Sequence, residues 1–165
     1  MNTKRYGIIL PAAFAVLFAS PGANAHEDEQ IATGSPERLG QVSFPVSCNA
    51  AAQEEFNRGV AILHSFYYPA AVKSFTKVTQ IDPACAMGYW GIAMASWYPL
   101  WFTPTKESLM QGRAAVEKAN SAGPKTDRER GYISAIGMFY QDSEKLDHKT
   151  RTLVYEKAIE QVYRL

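Results

Sequence analysis

An all-α fold is predicted, and three features of the sequence predict it. Ala71, Phe75 and Val78 recur at i, i+4 and i+7, the spacing that lines one face of a helix. Prolines stand where helices start or stop, at Pro69, Pro83, Pro104 and Pro124, because proline has no N–H for the helix interior but costs nothing in a first turn. The series Ala71, Phe75, Val78, Pro83 is matched at identical spacing by Gly112, Val116, Ala119, Pro124, so one helical plan is used twice.

Composition fits a small single-domain globular protein. The chain has 165 residues, 47% of them hydrophobic, and a formal net charge of +1. Its Lys and Arg residues are mixed with acids rather than gathered into a patch, which argues against nucleic-acid binding. Residues 1–25 are predicted to be an export signal: Lys4 and Arg5, an apolar run over 8–19, and Ala23-Asn24-Ala25 as a small-x-small cleavage site. That run is short for a membrane span and is interrupted by Pro11; no other stretch could span, so no transmembrane segment is expected after cleavage. A soluble product in an oxidising compartment, periplasmic or secreted, follows.

In chain order, residues 26–48 are expected to be a mostly irregular leader. Gly34, Pro36 and Gly40 break it, and 42–46 is expected to be extended because Pro45 forbids a helix there. Asn49 is a good N-cap for a helix over 50–67, with Phe56, Val60 and Leu63 on one face and Ile62 and Phe66 beside it. A turn at Tyr68-Pro69 opens the second helix, which Asp82-Pro83 ends. The third, over 84–98, has no charged residue between Ala86 and Tyr98 and is expected to be buried on most sides. An aromatic loop between Pro99 and Pro104 leads to a fourth helix starting near Thr103 or Thr105, with Pro104 in its first turn and Gly123-Pro124 ending it. Thr126-x-x-Glu129 is a capping box for a fifth helix through Tyr140, with Tyr132, Ile136 and Phe139 in its apolar stripe. A sixth begins near Asp147 and carries Tyr155, Ile159 and Val162 toward Leu165; it shows no polar cap, so either the chain continues in a longer protein or this helix docks on a partner.

The spacing around Ala71, Phe75 and Pro83, the apolar block Ala86-Met87-Gly88-Tyr89-Trp90-Gly91 that follows, and Gly59 and Ala93 at the small positions where paired helices cross together resemble the tetratricopeptide repeat. The stretch SCNAAAQEEFNRGVAILHSFYY with DPACAMGYWGIAMA resembles an exported bacterial branch of that family. Glu55 stands where the family has a large aromatic, and the third unit departs at Arg130 and Ser134. The resemblance implies tetratricopeptide-like helical hairpins over 49–165, about three pairs stacked as a short right-handed solenoid. It implies a concave face built from the first helix of each pair, holding a protein or peptide partner. On this sequence that face carries Gln53, Phe56, Val60, Leu63 and His64, then Met87, Trp90, Met94, Trp97 and Tyr98, then Arg128, Ala135, Met138 and Phe139. Such an aromatic and Met-rich surface suits apolar segments; the alternative is that many of these side chains are core, covered by the leader or by the Trp101-Phe102 loop.

Cys48 and Cys85 are the only cysteines, an even number in an exported chain, and in the stacked array they open neighbouring helices. A disulfide is expected, with two buried thiols or a metal pair as the alternatives; no C-x-x-C suggests redox catalysis. Copper handling through His64, the Met residues and His26 beside Glu27, Asp28 and Glu29 is an alternative function, as is a small apolar ligand between Trp90, Trp97 and Trp101. No His pair has H-x-x-x-H spacing, and no cofactor is implied. Esterase, phosphate-loop and metalloprotease signatures are missing, and Glu54-Glu55, Asp127-Glu129 and Asp142-Glu144 are expected to be solvated or capping groups, so no enzymatic activity is expected.

Overall fold

The structure, a computed structural model, describes residues 39–99 and 102–164. Within them are six helices and no strand: α1 (Ala50–His64), α2 (Tyr68–Ile81), α3 (Ala86–Trp97), α4 (Lys106–Ala122), α5 (Asp127–Tyr140) and α6 (His148–Tyr163). No described helix is long and apolar enough to cross a membrane. The export signal over 1–25, the N-terminal part of the leader with His26, and Trp101 lie outside the described residues.

Four of the six starts follow from a side chain that satisfies otherwise orphaned N–H groups, whereas α2 opens with Pro69 in its first turn and α3 has no side-chain cap. Asn49 accepts from the Ala52 N–H, Thr105 from Ser108, Thr126 from Glu129 and Asp147 from Thr150. Because the Thr105 hydroxyl is the cap, Pro104 lies outside α4 rather than in its first turn. At the other end, α1 stops three residues short of expectation. Phe66 takes a left-handed φ of 62°, its N–H bonds to Leu63 O (3.0 Å), and the Tyr67 N–H bonds to Ile62 O (3.2 Å). This is the helix-ending loop in which glycine is usual and an aromatic stands instead. Glycine does serve after α4, where Gly123 turns left-handed at φ 74°. Asp82 organises the turn between α2 and α3: its carboxylate accepts from Asn49 N–H (2.9 Å) and Ala84 N–H (3.1 Å). The same place is fastened by the Cys48–Cys85 disulfide, with 5.0 Å between its Cα atoms.

Successive helices pack on one another, except that α3 also touches α1 and α5. The core runs through α1, α2, α3 and α5 with Ala115 and Ala119 from α4. Phe75, fully buried, lies against Gly59 of α1 and Gly91 of α3, where an added Cβ would come within 2.8 Å and 2.2 Å of its ring. Tyr140 ties α5 to α3 by donating to Ala93 O at 2.6 Å. Burial pushes that phenol far above its usual range.

Glu55 is not solvated. It is buried between α1 and α2, accepting from Ser74 Oγ (2.6 Å), Lys77 Nζ (2.8 Å) and Arg58 Nη1 (3.0 Å). Burial alone would raise its pKa, but the hydrogen bonds from Lys77, Ser74 and Arg58 together with the Lys77 charge outweigh it and hold the carboxyl below its ordinary value.

Candidate functional site

Residues 39–48 form an irregular strap across α1, α3 and α5. Val42, Phe44 and Val46 are half-buried while Gln41, Ser43 and Pro45 are exposed, the period of two of an extended chain with one face docked. Its backbone is held by three side chains. The Gln53 amide donates to Phe44 O (2.9 Å) and accepts from the Val46 N–H (2.8 Å). Arg128 Nη1 donates to Pro45 O (3.0 Å), and Glu129 Oε1 accepts from the Ser47 N–H (2.6 Å). Phe44 enters an aromatic cluster, edge-on to Phe56 (5.5 Å between centroids), Trp90 (5.8 Å) and Tyr132 (5.3 Å). The Arg128 guanidinium caps the ring at 4.3 Å. Edge-to-face pairs and an exposed cation over a ring each contribute on the order of 0.5–1 kcal/mol beyond area burial.

Glu129 serves two elements at once. Its Oε2 accepts from Lys125 N–H (3.0 Å) and Thr126 N–H (3.3 Å), completing the expected capping box, and its other oxygen anchors the strap. It is buried, which the capping reading did not anticipate.

Beside Phe44 the helices leave a cavity of about 400 Å³. Val60, Leu63 and His64 of α1, Trp90 and Met94 of α3, Tyr132 of α5 and Tyr155 of α6 line it, and Phe44, Phe66, Tyr68 and Pro99 complete the wall. The Tyr155 hydroxyl donates to Met94 Sδ at 3.8 Å, and burial pushes its pKa up to about 12, so the phenol stays protonated at neutral pH. Two residues with positive φ, Phe66 (62°) and Tyr98 (55°), flank this wall, a conformation that bulky residues keep only where surrounding packing holds it.

Of the residues expected on the concave face, Val60, Leu63, His64, Trp90 and Met94 meet at this cavity, and Gln53 and Arg128 meet at the strap. His64 is exposed at the rim. Phe56, Met87, Ala135 and Phe139 are fully or almost fully buried and Trp97 is 4% exposed, so they belong to the core rather than to an open surface. Trp97 is covered by Phe139 (4.1 Å) and Tyr155 (4.8 Å). Tyr98 packs edge-on to Tyr68 (5.2 Å), and Met138 is exposed and does not line the cavity. Phe44, Tyr132 and Tyr155 were missed as site residues. The alternation Val42, Phe44, Val46 was the available sign for the first; the other two were visible only as helix stripes. Among the described residues no group of three or more His, Cys, Asp or Glu side chains is placed to hold a metal.

No family model matches the chain, and neither the curated proteins nor the solved structures compared with it include a similar one.

Proposed function

We propose that the chain is a protein-binding module that holds an apolar, extended peptide segment in the groove formed by α1, α3 and α5. The observation that carries this is the strap: one extended segment already lies there with four of its backbone groups hydrogen-bonded and its aromatic side chain inserted. Stacked tetratricopeptide-like hairpins α1/α2, α3/α4 and α5/α6 in a short right-handed solenoid are the architecture we assign to it. The contacts of α3 with both α1 and α5, and the close approach of Gly59 to Phe75, support that assignment. Export to an oxidising compartment agrees with the disulfide.

The test is titration of the protein with apolar and charged nine-residue peptides, followed by tryptophan fluorescence. Aromatic-bearing peptides are expected to bind and charged ones not. Met94→Ala, which alters the cavity wall, is expected to weaken binding about two- to tenfold. A folded protein that binds no peptide overturns the proposal.

A second reading, a small apolar ligand in the cavity, is favoured by its volume of about 400 Å³, within the ~300–1,000 Å³ usual for ligand pockets. Saturable binding of a compact aromatic solute, undisturbed by peptides, would favour it.

A further inference from the structure

We propose that residues 42–47 are a resident surrogate for the partner. The groove then selects an extended segment with an aromatic residue followed directly by proline, and such a segment binds by displacing the strap. This rests on the peptide-binding reading and specifies its ligand.

The pattern of contacts sets the specificity. The aromatic side chain is demanded by three rings and a guanidinium: Phe56, Trp90 and Tyr132 surround Phe44, and Arg128 closes it from outside. The register is fixed by Gln53, whose single amide takes the carbonyl of the aromatic residue and the N–H two residues later. The residue between them, Pro45, has no N–H to donate, and the groove takes the segment without one. Proline can occupy that place without losing a bond, and its fixed φ lowers the entropy lost on docking. Its carbonyl is still wanted, by Arg128. The N–H of Ser47, one residue past Val46, is taken by Glu129. The side chains of Gln41 and Ser43 are exposed and are not discriminated; Pro45 is exposed too, so proline is favoured there through its backbone, by its fixed φ, and not through contacts of its ring.

Displacement is compatible with the anchoring. The disulfide fixes the strap's C-terminal end at Cys48, and Asn49 is held by Asp82, so residues 42–47 can lift without disturbing α1. The bonds that hold them come from side chains, and none belongs to a helix backbone or a sheet.

The probe is a fluorescein-labelled peptide copying residues 39–47, LGQVSFPVS. In the unaltered protein, adding the peptide is expected to speed hydrogen exchange at the Val46 and Ser47 amides, which Gln53 and Glu129 now protect. Phe44→Ala, with its helix content checked by circular dichroism, is expected to bind the probe about tenfold or more tightly than the unaltered chain, because the competing strap is weakened. Gln53→Ala added to Phe44→Ala, or a probe with alanine for its phenylalanine, is expected to abolish the gain. The inference is overturned if the probe binds without changing exchange at Val46 and Ser47, or if other apolar peptides bind equally well with or without the aromatic-proline pair; the broader reading survives both results. Failure of every peptide to bind either protein removes both.

Discussion

Glu55 shows what one residue can hide in a sequence. Its phase with Ala52, Phe56, Gly59 and Val60 places it on the buried stripe of α1, yet an acidic pair at 54 and 55 reads as solvated because its partners come from α2. Its depressed pKa has a definite consequence for stability. A carboxyl ionised more readily in the folded than in the unfolded chain stabilises above the unfolded value, about 4.3, and loses that contribution as pH falls through the lower folded value. Glu55→Gln is therefore expected to destabilise the protein by about 1–2 kcal/mol at pH 7, and by progressively less below pH about 4, in thermal melts across that range. An equal gap at both ends would show that the substitution acts through shape alone. Gly91 makes a second case. Phase placed it on a wholly apolar helix but could not say that a buried ring stood 2.2 Å from its missing Cβ. Gly91→Ala is expected to cost about 1–3 kcal/mol or more in urea denaturation, since Phe75 has no solvent to move into.

Helices were the most legible level, because caps and periodicity are local. Asn49, Thr126 and Asp147 begin α1, α5 and α6 where their chemistry says they should. A boundary slipped where a non-glycine residue did a glycine's work at Phe66; for α4, Thr105 was one of the two expected starts, and its capping leaves Pro104 outside the first turn. The strap was legible as an extended segment, and a leader covering the expected face was one of the alternatives left open, but where it docks was not legible, since its anchors Arg128 and Glu129 lie more than 80 positions downstream, with separations of 83 and 82. Glu129→Gln tests this double anchorage. It is expected to lower stability by about 1 kcal/mol through the weakened cap and, in the same sample, to speed exchange at the Ser47 amide. Lower stability with unchanged exchange would assign the residue to the cap alone.

At the scale of the molecule, what the sequence predicted was an all-α chain with a Cys48–Cys85 bond; the described residues contain helices and no strand, and the bond is present. How far the expected concave face would lie open was not predictable. Whether Trp97 and Phe139 face a partner or one another depends on how far α3, α5 and α6 close together, and here they stack on one another with Tyr155 against them. The disulfide joins positions 37 residues apart and ties the start of α1 to the start of α3. Chain entropy alone assigns such a loop about 4 kcal/mol. Reduction, or a paired Cys48→Ser and Cys85→Ser change, is expected to shift the urea midpoint down accordingly; no shift would mean that packing around Asp82 holds the junction unaided.

The rings around Phe44 also give the protein an optical property. Trp90 and Tyr132 are held at fixed tilts to one another, 5.6 Å apart at 68°, and each is held against Phe44. Such asymmetrically fixed chromophores produce near-ultraviolet circular dichroism, a signal separate from the far-ultraviolet band of the helices. Lifting of the strap would thus be recorded as a loss at long wavelength with the short-wavelength spectrum unchanged, so that occupancy of the groove and integrity of the scaffold can be followed separately in one unlabelled sample.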